Sequence, residues 1–143
     1  MIESSLVPNL NNSALFQALG FTIIEIKADA IVMEINDNNP CHEGGFGVLT
    51  SVGINGAVIS AGLELAMGIC GFNALGREPA ALIELSVKIL RVIRKKPCRI
   101  EARIDNRNKN IAFVSATLFS ARGGICATGT GIVLKSKSKK EIP

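Results

Sequence analysis

The chain has no tryptophan, no tyrosine and a single histidine among its 143 residues. A core without those rings has to be built from aliphatic side chains, six Phe and small residues that approach one another closely. Aromatic residues are only 4% of the chain, and neither a basic helix nor a Cys/His finger spacing is present. The net charge of +4 therefore does not read as a nucleic-acid surface, and a small anionic ligand accounts for it equally well. Cys41, Cys70, Cys98 and Cys126 form no C-x-x-C pair, and Cys70 and Cys126 sit within apolar runs where a free thiol behaves as a small hydrophobe. Reduced cysteines and a cytoplasmic setting follow as expectations. A zinc site built on Cys41, His42 and Glu43 would need further ligands at workable spacing, so no metal and no cofactor are expected. The opening MIESSLVPNLNN has neither a basic n-region nor an apolar h-region, and no export signal is expected from it.

What is there fits one domain spanning residues 1–143, because a chain of this length buries roughly 70% of the surface that its unfolded form exposes. Asn11, Asn12 or Ser13 caps a short helix ending at Leu19, with Gly20 as its stop. Phe21–Lys27 and Ala30–Asn36 read as a hairpin; in the second strand Ile31, Met33 and Ile35 share one face. Asp37–Gly53, rich in Asn, Pro and Gly, is a loop long enough to be functional. From about Gly56 to Asn73 the apolar residues leave no polar stripe, which predicts a helix buried on nearly all sides and made thin by its glycines and alanines. The apolar run from Val52 to Phe72 is long enough to span a membrane, but Asn55 and Glu64 lie within it and no Lys or Arg flanks it. Ala81–Ile93, Arg99–Asn106, Ile111–Ala121 and Ile125–Lys135 are the remaining strands, and the polar basic tail from Ser136 is expected to be loose. The layout is α+β: a thin apolar helix beside a long antiparallel sheet that wraps around it.

Between Gly44 and Gly76 the only Asp, Glu, Lys, Arg or His is Glu64. A carboxylate in apolar surroundings is costly when ionised, so it either neutralises or finds donors, and a displaced pKa in a cleft suits general acid, base or nucleophile work. The plainer alternative is that Glu64 faces a crevice or a subunit contact and pairs with a basic group.

The run Asn55-Gly56-Ala57 followed by six residues and Glu64 resembles the helix-start signature of hotdog-fold thioesterases of the phenylacetate type: His-Gly-Gly, six residues, then Asp or Glu. Ile83–Arg91 and Gly124–Gly131 are similar to that family's third and last strands, and the likeness extends over Phe21–Lys135. The resemblance implies a hotdog fold, a curved antiparallel sheet around one long helix, with two subunits paired edge to edge as a homodimer or a dimer of dimers. It also implies hydrolysis of an acyl-CoA or acyl-carrier thioester. Gly56 then presents a backbone N–H to the thioester oxygen, as the unpaired first amides of a helix are suited to do, and Glu64 attacks the carbonyl carbon or activates water. Asn55 stands at the family's histidine, Ala57 at its second glycine, and Leu82 where some members carry Ser or Thr.

Arg91, Arg94, Lys95, Lys96 and Arg99 cluster beyond one long strand, and Arg91 and Arg94 are the first choices for the phosphates of coenzyme A, with a solvated basic turn as the alternative. His42 either faces the cleft and binds substrate or lies exposed on its loop. Two other functions share the fold: a dehydratase acting on acyl thioesters through His42 and Glu64, and an acyl-CoA-binding module without catalysis.

Overall fold

Two short helices precede the sheet in the computed structural model, which describes residues 3–36, 39–50, 53–94 and 97–136. The first, α1 (Glu3–Asn11), is not evident from its low amphipathicity and internal Pro8. It is anchored from its end, where Asn11 acts as a strand partner to the backbone of Ile23: Oδ1 accepts from the N–H at 2.6 Å and Nδ2 donates to the carbonyl at 3.1 Å. Of the caps proposed for the second helix, α2 (Ala14–Leu19), Ser13 is the one used, its hydroxyl accepting from Phe16 N–H. Gly20 closes α2 at φ 71°, a left-handed conformation in which a side chain would also collide with Asn39 and His42.

The expected hairpin forms from β1 (Phe21–Ile26) and β2 (Ala30–Ile35), closed by Lys27 N–H donating to Ala30 O at 2.8 Å. Ile31, Met33 and Ile35 are all buried, as their alternation predicts. After the long α3 (Gly56–Ala74) come β3 (Ala80–Ile89), β4 (Cys98–Arg107), β5 (Ile111–Phe119) and β6 (Ile125–Lys135). All six strands make one antiparallel sheet in the order β1-β2-β4-β5-β6-β3, leaving β1 and β3 as edges. Helix α3 packs against β2, β3, β4, β5 and β6, so the sheet curves around it. This is the hotdog arrangement. The apolar run long enough to cross a membrane is its core helix, close to half buried inside the fold.

Two expectations need correction. The strand after α3 stops at Ile89 rather than Ile93: Leu90 and Arg91 both donate to Cys126 O, and Ile93 O turns away to accept from Ile54 N–H, so apolar residues continue where the ladder does not. Nor is α3 buried all round. Val58, Ile59, Leu63, Ala66, Met67 and Cys70 lie in the core, whereas Gly56 and Ala57 are exposed and Ala61, Glu64 and Gly68 are only partly covered in the single chain. Lys95, Lys96 and the tail 137–143 lie outside the described residues; Ser136 is held by its N–H bond to Pro79 O at 2.8 Å.

The thinness of α3 decides how close the sheet comes. At Gly71 a Cβ would lie 2.5 Å from Val133 Cγ2, and at Gly62 2.9 Å from Ile100 Cδ1. At Gly68 the nearest atom is Glu64 Oε1 at 4.0 Å. Gly71→Ala is therefore expected to cost about 1–3 kcal/mol by overpacking, while Gly68→Ala gains up to about 1 kcal/mol of helix propensity. Urea unfolding of the two variants should move their midpoints in opposite directions.

Candidate functional site

The start of α3 is built by Asn55. Its extended backbone places Oδ1 to accept from Val58 N–H at 2.8 Å, and Nδ2 donates both hydrogens to the loop, to Cys41 O at 2.7 Å and Glu43 O at 3.0 Å. The Asn55 N–H reaches His42 O at 2.9 Å, and Glu43 and Ile54 form an isolated bridge. One side chain thus caps the helix and straps the Pro40–Gly47 loop against it. It holds the loop, and none of its amide hydrogens is left over for a substrate carbonyl.

The first intrahelical bond is Ile59 N–H to Asn55 O, and Val58 N–H is taken by the cap. Gly56 and Ala57 are left with N–H groups that no acceptor among the described residues meets. These amides are the positive end of a helix 19 residues long with no acidic residue in its first turn. They open into a mostly apolar groove of about 1040 Å³, whose walls are the 40–47 loop, Ile54–Ala57 and Ile59 of α3, and Ile89–Ile93. Gly56 abuts the end of β3: a Cβ there would touch Ile89 Cδ1 at 3.4 Å.

Glu64 lies two turns further along α3, on the same partly covered face as Ala57, Ala61 and Gly68. It does not line the groove of the single chain. Burial alone pushes its pKa above the ordinary 4.5, and among the described residues no cation pairs with it, which disposes of the ion-pair alternative within one chain.

His42 is neither in the cleft nor exposed. It is 2% accessible, and its Nε2–H donates to Leu19 O at 2.6 Å, tying the loop to the end of α2. Among the described residues no three His, Cys, Asp or Glu side chains converge to hold a metal ion. Arg91 borders the groove; Arg94 does not, but lines a second cavity beside it together with Arg91. Sequence reasoning missed Arg122, which joins them from the β5–β6 turn. It also missed the exposed apolar row on edge strand β3, where Ile83 is 59% and Leu85 41% accessible. An edge strand that lacks Pro and carries such residues is the signal that was available.

The family model of the thioesterase superfamily matches residues 53–127, a span that begins just before the α3 cap and includes Glu64. Among solved structures, the chain is similar to the PaaI protein from the phenylacetic acid degradation operon of E. coli, at 13% identity, TM-score 0.79 and coverage of 95% and 94% of the two chains. A thioesterase of Haemophilus influenzae aligns at 18% identity and TM-score 0.75 over 88% of this chain and 85% of that one. A thioesterase family protein of Silicibacter pomeroyi aligns at 15% and 0.77 over 92% and 96%. At such identities these likenesses speak for the fold. No curated protein matches by sequence.

The double duty of Asn55 is separable. Asn55→Ala is expected to lower unfolding free energy by about 1–3 kcal/mol, losing the cap and both loop bonds. Asn55→Asp keeps an acceptor for Val58 N–H but loses both donors. It should therefore retain amide-exchange protection in the first turn of α3 while the 40–47 loop exchanges faster; an unchanged loop would show that the strap does not hold it.

Proposed function

Because the chain belongs to the thioesterase superfamily, we propose that it hydrolyses an acyl-CoA or acyl-carrier thioester to the free acid and thiol. The observation that carries this reading is the pair of unpartnered amides, Gly56 and Ala57, facing an apolar groove at the positive end of α3. Gly56 N–H donates to the thioester carbonyl oxygen and holds it more tightly as it becomes an oxyanion; loss of such a donor typically costs about 3 kcal/mol of transition-state stabilisation. Glu64 supplies the attack by one of two routes. Its carboxylate adds to the carbonyl carbon, the C–S bond breaks, and water hydrolyses the resulting anhydride. Alternatively it takes a proton from the water that adds. Either way the sulfur leaves as a thiolate, a good leaving group, and the protein need only position and polarise.

Gly56 and Glu64 are eight residues apart, about 12 Å along the helix axis, which exceeds the reach of a glutamate side chain. The reading therefore requires Glu64 of one copy to face Gly56 of another. Support comes from β3, a ten-residue edge strand with exposed Ile83, Leu85 and Ile89, whose end lies against Gly56. Pairing β3 edge to edge in a homodimer, or in a dimer of dimers, covers these side chains and the half-covered Glu64 face together. Free, buried Cys70, Cys98 and Cys126 suit a reducing cytoplasmic setting. The dehydratase alternative has less support, because His42 is buried and does not line the groove.

Glu64→Gln should reduce thioester hydrolysis at least about 100-fold. Only the ionised acid works, so wild-type activity should fall on the acid side with a midpoint above 4.5, and a midpoint at or below that value would assign the limb to another group. A carboxyl raised by burial stabilises the fold while protonated and loses that contribution as pH rises through its folded pKa. The Gln variant should then melt above wild type at pH 7 and close to it at pH 4.

Sedimentation of Ile83→Glu and Leu85→Glu variants tests the assembly. The wild type is expected to be dimeric or larger, and the variants folded, monomeric and inactive. A fully active monomer would remove the requirement for a second copy.

A further inference from the structure

The tip of the loop that walls the groove, residues 44–49, carries one ring, Phe46, on a backbone that phenylalanine avoids. Gly45, Phe46 and Gly47 follow one another at φ 63°, 57° and 78°. Glycine takes this left-handed conformation freely, whereas a bulky side chain is strained in it. The tip is nonetheless a closed turn. Gly47 N–H donates to Gly44 O at 3.2 Å, and the N–H groups of Val48 and Leu49 both donate to Gly45 O, at 3.1 and 2.8 Å. At its base, Asn55 Nδ2 holds Cys41 O and Glu43 O and so fixes the loop to the head of α3.

Among the described residues the only other non-glycine at positive φ is Arg77, whose Nε donates to Asn73 Oδ1 at 2.9 Å. Phe46 has no such return, for its side chain is 92% exposed. Backbone strain and a ring left in water meet at one residue, and a pairing of that kind points to something outside the chain that the ring is held ready to touch. The groove identifies it. Phe46 lines the groove, while its neighbours Val48 and Leu49, 85% and 65% exposed, do not. It is the only aromatic residue in that lining, and Arg91, on the 89–93 wall, is the only cation. Ile54, Ala57, Ile59 and Ile89 add apolar surface around Gly56.

We propose that Phe46 is a specificity-determining residue of this groove: its ring packs on the acyl group of the bound thioester and favours a bulky apolar acyl group over a small one. The inference rests on the thioester reading of the groove. A ring carried on a turn that is already closed supplies contact area with little further loss of freedom, and an acyl group lying in the groove covers the ring that the free chain leaves in water.

The test sets Phe46→Ala and Phe46→Gly beside a Val48→Ser control, with kcat and KM measured on acetyl-, hexanoyl-, decanoyl- and benzoyl-CoA. Wild type should prefer the larger acyl groups. Both Phe46 variants should lose about tenfold of the decanoyl-over-acetyl preference in kcat/KM, with the loss in KM for decanoyl-CoA and not in kcat. Val48→Ser should keep the preference. Because the exposed ring packs on little in its own chain, Phe46→Ala should melt with wild type, and Phe46→Gly, relieved of the strain, no lower. An unchanged preference in the Phe46 variants overturns the proposal, as does an equal loss in Val48→Ser. A lower melting temperature or a smaller oligomer for Phe46→Ala overturns it by placing the ring against a second copy, and Phe46-dependent binding to phosphatidylglycerol vesicles by placing it in lipid. Calorimetry on decanoyl-CoA separates this proposal from the activity: Phe46-dependent binding by a protein that hydrolyses no thioester keeps the ring's assignment and sinks the hydrolase reading instead.

Discussion

Two backbone amides at the head of α3 meet no acceptor among the described residues, and much of the surrounding structure serves to keep them so. A helix begins with donors that its own carbonyls cannot reach. Here Asn55 takes the third of them, Val58 N–H, and leaves Gly56 and Ala57 facing a groove. The same side chain draws in the 40–47 loop that forms one wall, and Ile93 draws in the other through Ile54. His42, buried against Leu19 O, fixes the far side of that loop.

The small residues of α3 act on the same arrangement from within. Gly62 and Gly71 let Ile100 and Val133 close over the helix, so the sheet can curve around a rod with almost no girth. That curvature brings the end of β3 against Gly56 and leaves β3 as an open edge. The partly covered stripe through Ala57, Ala61, Glu64 and Gly68 is the complement of this packing: it is the one side of α3 that the single sheet does not cover. Glu64 is desolvated there without being entombed, which is why burial raises its pKa and yet leaves the carboxylate within reach of another molecule.

Much of this was legible in the residues. Alternation in Ala30–Asn36 identified the buried face of β2, and Gly20 marked the end of α2, while its start was narrowed to Asn11, Asn12 or Ser13. The absence of a polar stripe from about Gly56 to Asn73 announced the core helix, and the spacing from Asn55 to Glu64 carried the family resemblance. Other features were not legible, for physical reasons. Helix α1 is held by Asn11 on the backbone of Ile23, a contact that leaves no periodicity behind. Leu90, Val92 and Ile93 look like more strand because they are apolar, but their hydrogen bonds go to Cys126 and Ile54.

By itself the sequence determined the periodic elements, the thin helix and the identity of its lone acid, because period, side-chain size and charge are local properties. Tertiary structure alone decided that His42 is a strut, that α3 has an uncovered side, and that Arg122 joins Arg91 and Arg94 around one cavity. Each of those depends on which segments distant in the chain come to lie against each other, and pairing of that kind is settled by burial of the whole sheet and not by any window of residues.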